Sequence, residues 1–119
     1  MKLITAIISP AYLEPTKTEL GQVGVFRLTV IDCQGLSQHK NKESHQKTAA
    51  DAYKHTQNSA QAFIKIMIAV NEDFVEPSIH AILRGTEPEK QSPHQGRIFI
   101  TPLEEVIRIR TGERGPGAI

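Results

Sequence analysis

Three arginines near the C-terminal end of the sequence are the residues best suited to chemistry. Arg108 and Arg110 stand two positions apart in a β-branched run, with Arg97 further upstream. We expect this run to be a strand, in which residues i and i+2 point to the same face. Forked guanidinium groups suit phosphate oxygens, because each can donate two parallel hydrogen bonds. The pair therefore predicts an anion-binding face; a solvated basic face on an edge strand is the structural alternative.

Other residue types offer little for catalysis or metal binding. The sequence has no nucleophile elbow, Walker loop, Rossmann glycine pattern or paired metal ligands. Glu104 and Glu105 are adjacent, so on a strand they would face opposite ways and could not share a proton. A polar segment holds His39, His45 and His55, but none of them forms a ligand pair at a tight spacing. We expect a protein that is not an enzyme and has neither a metal site nor an obligatory cofactor.

The overall composition sets the broad class. At 119 residues the chain is the size of one domain, and its net charge of +1 argues against broad nucleic-acid binding. The single cysteine, Cys33, cannot form an internal disulfide and fits a small buried hydrophobe in a reducing cytosol. No secretory leader is visible, and no apolar stretch reaches the ~20 residues that span a bilayer. We expect a soluble, cytoplasmic protein with no direct membrane insertion.

The elements that must position the arginines follow from apolar periodicity. It predicts strands over 3–8, 25–34 and 63–70, a fourth strand that carries the arginine pair and is interrupted near Pro102, and helices over 13–23 and 73–85. Gly24 is a natural end for the first helix, and Asp73 followed by Glu76 fits a capping pattern for the second. The predicted apolar stripe of the second helix comprises Val75, Ile79, Ile82 and Leu83. The order βαββαβ indicates a ferredoxin-like α+β fold, with both helices on one face of an antiparallel sheet.

The second strand predicts a partner subunit. It is apolar on both faces, with Phe26, Leu28 and Val30 on one and Val25, Ile31 and Cys33 among those on the other. Such a strand must be covered on both faces, and two helices on one side cover only one of them. We expect an oligomer; a monomer whose second face is covered by loops is the alternative.

Two loops interrupt this plan within the single domain 1–119. The segment of about 36–62 is polar, and a loop of that length inside a compact domain is usually functional or disordered. A shorter loop of about 86–96 holds two prolines and several charges, and the C-terminal strand and tail occupy 97–119.

The chain resembles the PII signal-transduction proteins at both ends. Residues 108–115 (RIRTGERG), preceded by 96–99 (GRIF), are similar to that family's C-terminal signature, and 1–10 (MKLITAIISP) are similar to its first strand. Residues 20–25 (LGQVGV), 28–30 (LTV) and Gly35 match in register. The resemblance implies a homotrimer with an adenine nucleotide (AMP, ADP or ATP) in each cleft between subunits. It also implies a regulatory protein that signals to a target protein, an enzyme or a transporter, through residues 36–62.

The resemblance also implies a set of site residues. Arg108 and Arg110 match the arginines that meet phosphates, and Gly96 with Arg97 match the terminal Gly-Lys of the phosphate loop. Thr29 matches a threonine near the adenine. The full nucleotide-binding set that it implies is Thr29, Gly35, Ser37, Gln38, Gly96, Arg97, Arg108 and Arg110. His39 and Lys40 are candidates for holding a small anionic effector.

Two departures from the family pattern concern the ligands. The phosphate loop lacks two of the usual glycines, which puts triphosphate contacts in question. Leu36, His39 and Phe63 stand where relatives that sense 2-oxoglutarate have Phe, Gln and Lys, so we expect no 2-oxoglutarate sensing of the usual kind, since the acid's charge would lack a partner. Tyr53 does not match the family's modifiable tyrosine. The alternatives are a bicarbonate-responsive protein of inorganic-carbon metabolism (carboxysome or bicarbonate transport), a nitrogen-regulatory PII protein and a trimeric metal-binding protein.

Overall fold

The chain forms the predicted alternation of strands and helices. A computed structural model describes residues 1–40, 56–91 and 96–119, with the backbone alone for 37–40, 56–59 and 91. The elements are β1 (Lys2–Ile8), α1 (Leu13–Gln22), β2 (Thr29–Lys40), β3 (Thr56–Val70), α2 (Val75–Gly85) and β4 (Arg97–Pro102). All neighbouring strands run antiparallel in the order β2-β3-β1-β4. The ferredoxin-like α+β fold is confirmed.

The core lies between one face of the sheet and the two helices. Every second residue of the central strands is buried, including Ile4 of β1 and Ile66 of β3. These side chains belong to one apolar cluster with Leu20 of α1 and Ile82 of α2. The alternation follows from the two-residue period of a strand. Neither helix in the described part of the chain is long and apolar enough to cross a membrane.

The end of α1 is fixed by a left-handed glycine. Gly24 has a φ of 81°, and its amide donates to the carbonyl of Gly21, while the amide of Val25 donates to the carbonyl of Leu20. This is the Schellman arrangement, and glycine adopts it without the steric cost of a Cβ. The predicted helix end is confirmed, and Val25 is anchored as the chain turns toward β2.

The two helices approach closely at Gly85, and α2 differs from its prediction in two respects. A Cβ on Gly85 would lie 2.5 Å from the Cα of Thr16 in α1. Phe74 occupies the N-cap position of α2 with no side-chain cap bond, so the predicted Asp73 capping pattern was wrong. Leu83, predicted to be in the apolar stripe, is 46% exposed, because the helix turns its small residues toward α1.

The long polar segment begins and ends as paired strand, which corrects the predicted loop of about 36–62. β2 starts at Thr29 rather than at residue 25, and it continues to Lys40, which pairs with Thr56 at the start of β3. The residues that we expected to be unpaired on both sides of the segment therefore form the two arms of a hairpin. The predictions that concern 41–55, including His45, Tyr53 and His55, lie outside the described residues.

The fourth strand is shorter than predicted. β4 ends at Pro102, and the arginine pair lies beyond it in a separate turn. Arg108 and Arg110 are therefore not successive residues on one face of a strand, which corrects the basis of that prediction.

The face of the sheet opposite the helices is largely apolar, and the C-terminal segment lies beside only the part of it near Met67 and Ala69. Thr5, Met67 and Phe99 stand in one row across β1, β3 and β4 on this face. Phe99 is 51% exposed and Ile31 of β2 is 42% exposed. Cys33, predicted to be buried, is only half-buried.

Candidate functional site

The arginine pair is presented by a tight turn that its own backbone closes. The amide of Gly115 donates to the carbonyl of Val106 at 2.9 Å, and the amide of Arg108 donates to the carbonyl of Glu113 at 2.8 Å. The amide of Gly112 donates back to the carbonyl of Arg108 at 2.7 Å, and Gly112 adopts a φ of 71°. A side chain at Gly112 would be strained in this left-handed conformation. The turn therefore holds the two arginines in place through local hydrogen bonds.

Arg108 is held by three groups of the C-terminal segment. One guanidinium nitrogen lies 3.2 Å from the Glu113 carboxylate. The other terminal nitrogen donates to the main-chain oxygens of Gly117 at 3.0 Å and Ile119 at 3.4 Å. Arg110 is exposed and makes no ion pair with any described residue. The two guanidinium groups are thus unequal: one is oriented in advance, and the other is available to a ligand.

The turn brings Arg108 and Arg110 into one concavity with Thr29, the first residue of β2. The concavity has a volume of about 670 Å³, and its floor includes Met67 and Ala69 of β3. No aspartate or glutamate is among the described residues that line it. A concave site of this size with apolar walls and a few directed polar groups is typical of small-ligand binding. Its charge suits a phosphate or another anion.

Gly96 and Arg97 lie in a different place from the other predicted site residues. They line a second concavity of about 440 Å³ at the start of β4, beside Thr86 after α2. β4 and β2 are the two edges of the sheet, three strand spacings or roughly 14 Å apart. A single chain therefore brings together only part of the predicted site.

Glu89, which sequence reasoning missed, is buried in this second concavity. Its carboxylate accepts a hydrogen bond from the amide of Ser9 at 3.2 Å, and only 6% of the residue is exposed. Burial raises the pKa of Glu89 above its usual value near 4.5, and hydrogen bonds from the amides of Ser9 and Gly96 offset part of that rise. A Cβ on Gly96 would overlap the carbonyl oxygen of Ile7, so only glycine fits there.

No signal in the sequence singles out Glu89. It is one of several charges in a stretch that we predicted to be a loop, where charges are usually solvated. The structure instead forms a short 3-10 helix, Glu87–Gln91, whose turn directs this one carboxylate inward.

Gly35 has a packing reason to be glycine. A Cβ at this position would overlap the ring of Phe63, which stands opposite Cys33 on the neighbouring strand β3. Leu36, the next residue, is 77% exposed. Ser37, Gln38, His39 and Lys40 continue β2 as backbone, and their side chains lie outside what the structure describes. Within the described residues, no group of three or more His, Cys, Asp or Glu side chains is placed to hold a metal.

Comparisons with known proteins agree over the whole chain. A family model described as nitrogen regulatory protein P-II matches residues 1–113. The nitrogen regulatory protein GlnK1 of Methanosarcina mazei is 41% identical, over 100% of this chain and 97% of its own. Nitrogen regulatory protein GlnK of Escherichia coli is 32% identical over the full length of both. The structure of a Bacillus subtilis GlnK–ATP complex superposes with a TM-score of 0.77 at 29% identity, covering 99% of this chain and 96% of that one.

Proposed function

The chain belongs to the nitrogen regulatory protein P-II family, and from that premise we propose that it binds an adenine nucleotide and passes this signal to a target protein. The observation that carries the proposal is the concavity in which Thr29, Arg108 and Arg110 meet, with no aspartate or glutamate among the described lining residues. The fork of Arg110 can bind a phosphate, Arg108 adds positive charge beside it, and the apolar floor suits a base. The similar B. subtilis structure is a GlnK–ATP complex, which supports the same ligand class.

We propose that the complete site lies between subunits. Arg97 belongs to one edge strand and Thr29 to the other, and the two concavities that they line share no residue. Two copies placed edge to edge would put Gly96 and Arg97 of one copy beside the arginine concavity of its neighbour. A closed ring of three such contacts uses both edges of every copy, in keeping with the closed symmetry that most homo-oligomers adopt.

The uncovered face of the sheet supports the same assembly. Phe99 and Ile31 expose apolar surface on the side without helices. Apolar surface left exposed on a small protein is typical of an interface, since its contact with water is unfavourable. Homotrimerisation would cover it, and it would also explain a second strand that is apolar on both faces.

The target protein would be engaged through the hairpin formed by β2 and β3. These strands remain paired to Lys40 and Thr56, well beyond the end of the core, and an extended hairpin presents backbone and side chains away from the body of the protein. Ligand-dependent ordering of such a segment is a known way to switch a partner interaction. We propose that the protein acts in the cytoplasm as a regulator and carries out no catalysis.

The names of the relatives favour nitrogen regulation as the pathway. Both are described as nitrogen regulatory proteins. The bicarbonate alternative gains no support from them. Phe63 packs over Gly35 and supplies no charge for a second carboxylate ligand, so we propose a weakened or altered 2-oxoglutarate response within nitrogen control.

Calorimetric titration with AMP, ADP and ATP tests the proposal. We expect saturable binding with a Kd between micromolar and sub-millimolar, which corresponds to roughly 5–8 kcal/mol. Each titration is repeated with 2-oxoglutarate and with bicarbonate, because a second ligand that is linked to the nucleotide changes its affinity. Absence of binding for all three nucleotides would contradict the proposal. A bicarbonate effect without a 2-oxoglutarate effect would move the protein to the inorganic-carbon alternative.

A further inference from the structure

We infer that Arg27 is a third phosphate-binding residue of the arginine concavity, and that it fits the site to a chain of phosphates. This inference rests on the proposed nucleotide site and extends it. Arg27 lines the concavity together with Arg108 and Arg110, and it also lines an adjoining concavity with Arg108. Neither the sequence pattern of the arginine pair nor the family resemblance identified it.

The backbone before Arg27 is fixed, so its position does not depend on a loose loop. Gly24 ends α1 in its left-handed conformation, and the amide of Val25 donates to the carbonyl of Leu20 at 2.9 Å. Val25 is 7% exposed. Two residues after Arg27, Thr29 enters β2 and pairs with Met67. Arg27 is therefore attached between two anchored points at the rim of the concavity.

The charges around Arg27 favour an anionic ligand. Among the described residues it has no acidic side chain within salt-bridge distance, and Arg110 has none either. Of the three arginines that line the concavity, only Arg108 is paired, with Glu113. Like charges brought into one concavity repel each other, and a bound anion relieves that repulsion.

The number of guanidinium groups indicates more than one phosphate. The terminal nitrogens of Arg108 are engaged by Glu113, Gly117 and Ile119, so the unoccupied forks are those of Arg110 and Arg27. Two separate forks are used fully by two phosphate groups, because each fork can donate two parallel hydrogen bonds to one phosphate. The predicted ligand is therefore a nucleoside diphosphate or triphosphate rather than a monophosphate.

The test compares Arg27→Gln with the unmodified protein in titrations with ATP, AMP and inorganic tripolyphosphate. We expect the affinity for ATP and for tripolyphosphate to fall about tenfold or more, the usual effect of losing a charged hydrogen bond, and the affinity for AMP to change little. Arg27→Lys keeps the charge without the fork and is expected to lose less. Arg84→Gln is the matched control, because Arg84 pairs with Glu19 on the helix layer away from the concavity.

The outcomes separate this inference from the proposed function. If Arg27→Gln binds ATP and tripolyphosphate as the unmodified protein does, the inference is wrong and the nucleotide proposal stands. If the unmodified protein binds tripolyphosphate but no adenine nucleotide, and Arg27→Gln weakens that binding, the inference stands and the nucleotide proposal is wrong. If the unmodified protein binds neither, both are wrong. Equal losses in Arg27→Gln and Arg84→Gln would also overturn the inference, because they would reflect net charge alone.

Discussion

The carboxylate of Glu113 lies 3.2 Å from a guanidinium nitrogen of Arg108, and the carbonyl of Glu113 accepts a hydrogen bond from the amide of Arg108 at 2.8 Å. The same two residues thus close the turn through their backbones and orient the guanidinium group through their side chains. Arg110, two residues away, has no comparable partner among the described residues. The two arginines of the turn therefore have different roles: Arg108 also stabilises the turn, and Arg110 is available to a ligand. Separate substitutions can distinguish these roles.

Arg108→Gln and Arg110→Gln should both weaken nucleotide binding, but only the first should destabilise the fold. Loss of the Arg108 side chain removes the Glu113 pair and the bonds to the C-terminal oxygens, worth together about 1–2 kcal/mol after allowance for partial exposure. Arg110→Gln should change the free energy of unfolding by no more than about 0.5 kcal/mol. Urea unfolding and calorimetry with ADP on the same samples measure both effects. Equal destabilisation by the two substitutions would contradict these different roles.

Glu89 should make stability depend on pH. Burial raises its pKa in the folded protein above the usual value, so the folded state holds the proton more tightly than the unfolded chain does. The contribution of protonated Glu89 to the free energy of unfolding is therefore fully present below about pH 4.5. It is lost as the pH rises through the raised pKa. Glu89→Gln should remove this loss, so the variant gains stability relative to the unmodified protein between about pH 4 and about pH 7.

Urea unfolding at the two pH values measures that gain. Glu87→Gln is the control, because Glu87 lies two residues away with its side chain 72% exposed. A stability difference between Glu89→Gln and the unmodified protein that does not change with pH would show that the Glu89 carboxyl is not the titrating group.

Phe99→Glu should dissociate the proposed trimer. Phe99 is 51% exposed on the uncovered face of the sheet, and assembly would bury an unpaired carboxylate in each copy, at a cost of several kcal/mol per site. Light scattering after size exclusion should give the mass of a trimer for the unmodified protein and of a monomer for the variant. Gln22→Glu, at an exposed residue of α1 that lines neither concavity, is the control and should remain trimeric. A monomeric unmodified protein would contradict the proposed assembly.

Gly85→Ala should destabilise the protein, whereas Gly21→Ala should not. A Cβ on Gly85 would lie 2.5 Å from the backbone of Thr16, and overpacking of this kind costs about 1–3 kcal/mol. A Cβ on Gly21 would meet only Phe26, at an ordinary 3.6 Å, so alanine should gain up to about 1 kcal/mol of helix propensity. Thermal unfolding of the two variants measures whether each substitution lowers or raises the unfolding midpoint. Similar midpoints would show that the helices separate readily at this contact.

The local elements could be predicted because their causes are local. The strand alternation that buries Ile4 and Ile66 follows from a period of two, and Gly24 ends α1 because of its own left-handed backbone. The capping of α2 was predicted wrongly, because Asp73 fits a capping pattern that the preceding turn does not use. The arginine pair was rightly predicted to lie together, but for the wrong reason: a turn, rather than a strand, joins them.

By itself the sequence determined the order of strands and helices, the apolar second face of the sheet and the presence of a phosphate-suited arginine pair. These depend on side-chain type and short spacing. Only the tertiary structure decided that Glu89 is buried against Ser9, that Arg27 joins the arginine pair, and that Arg97 lies at the opposite edge of the sheet. Each of these depends on which distant segments the sheet order brings together, and no spacing along the chain carries that information.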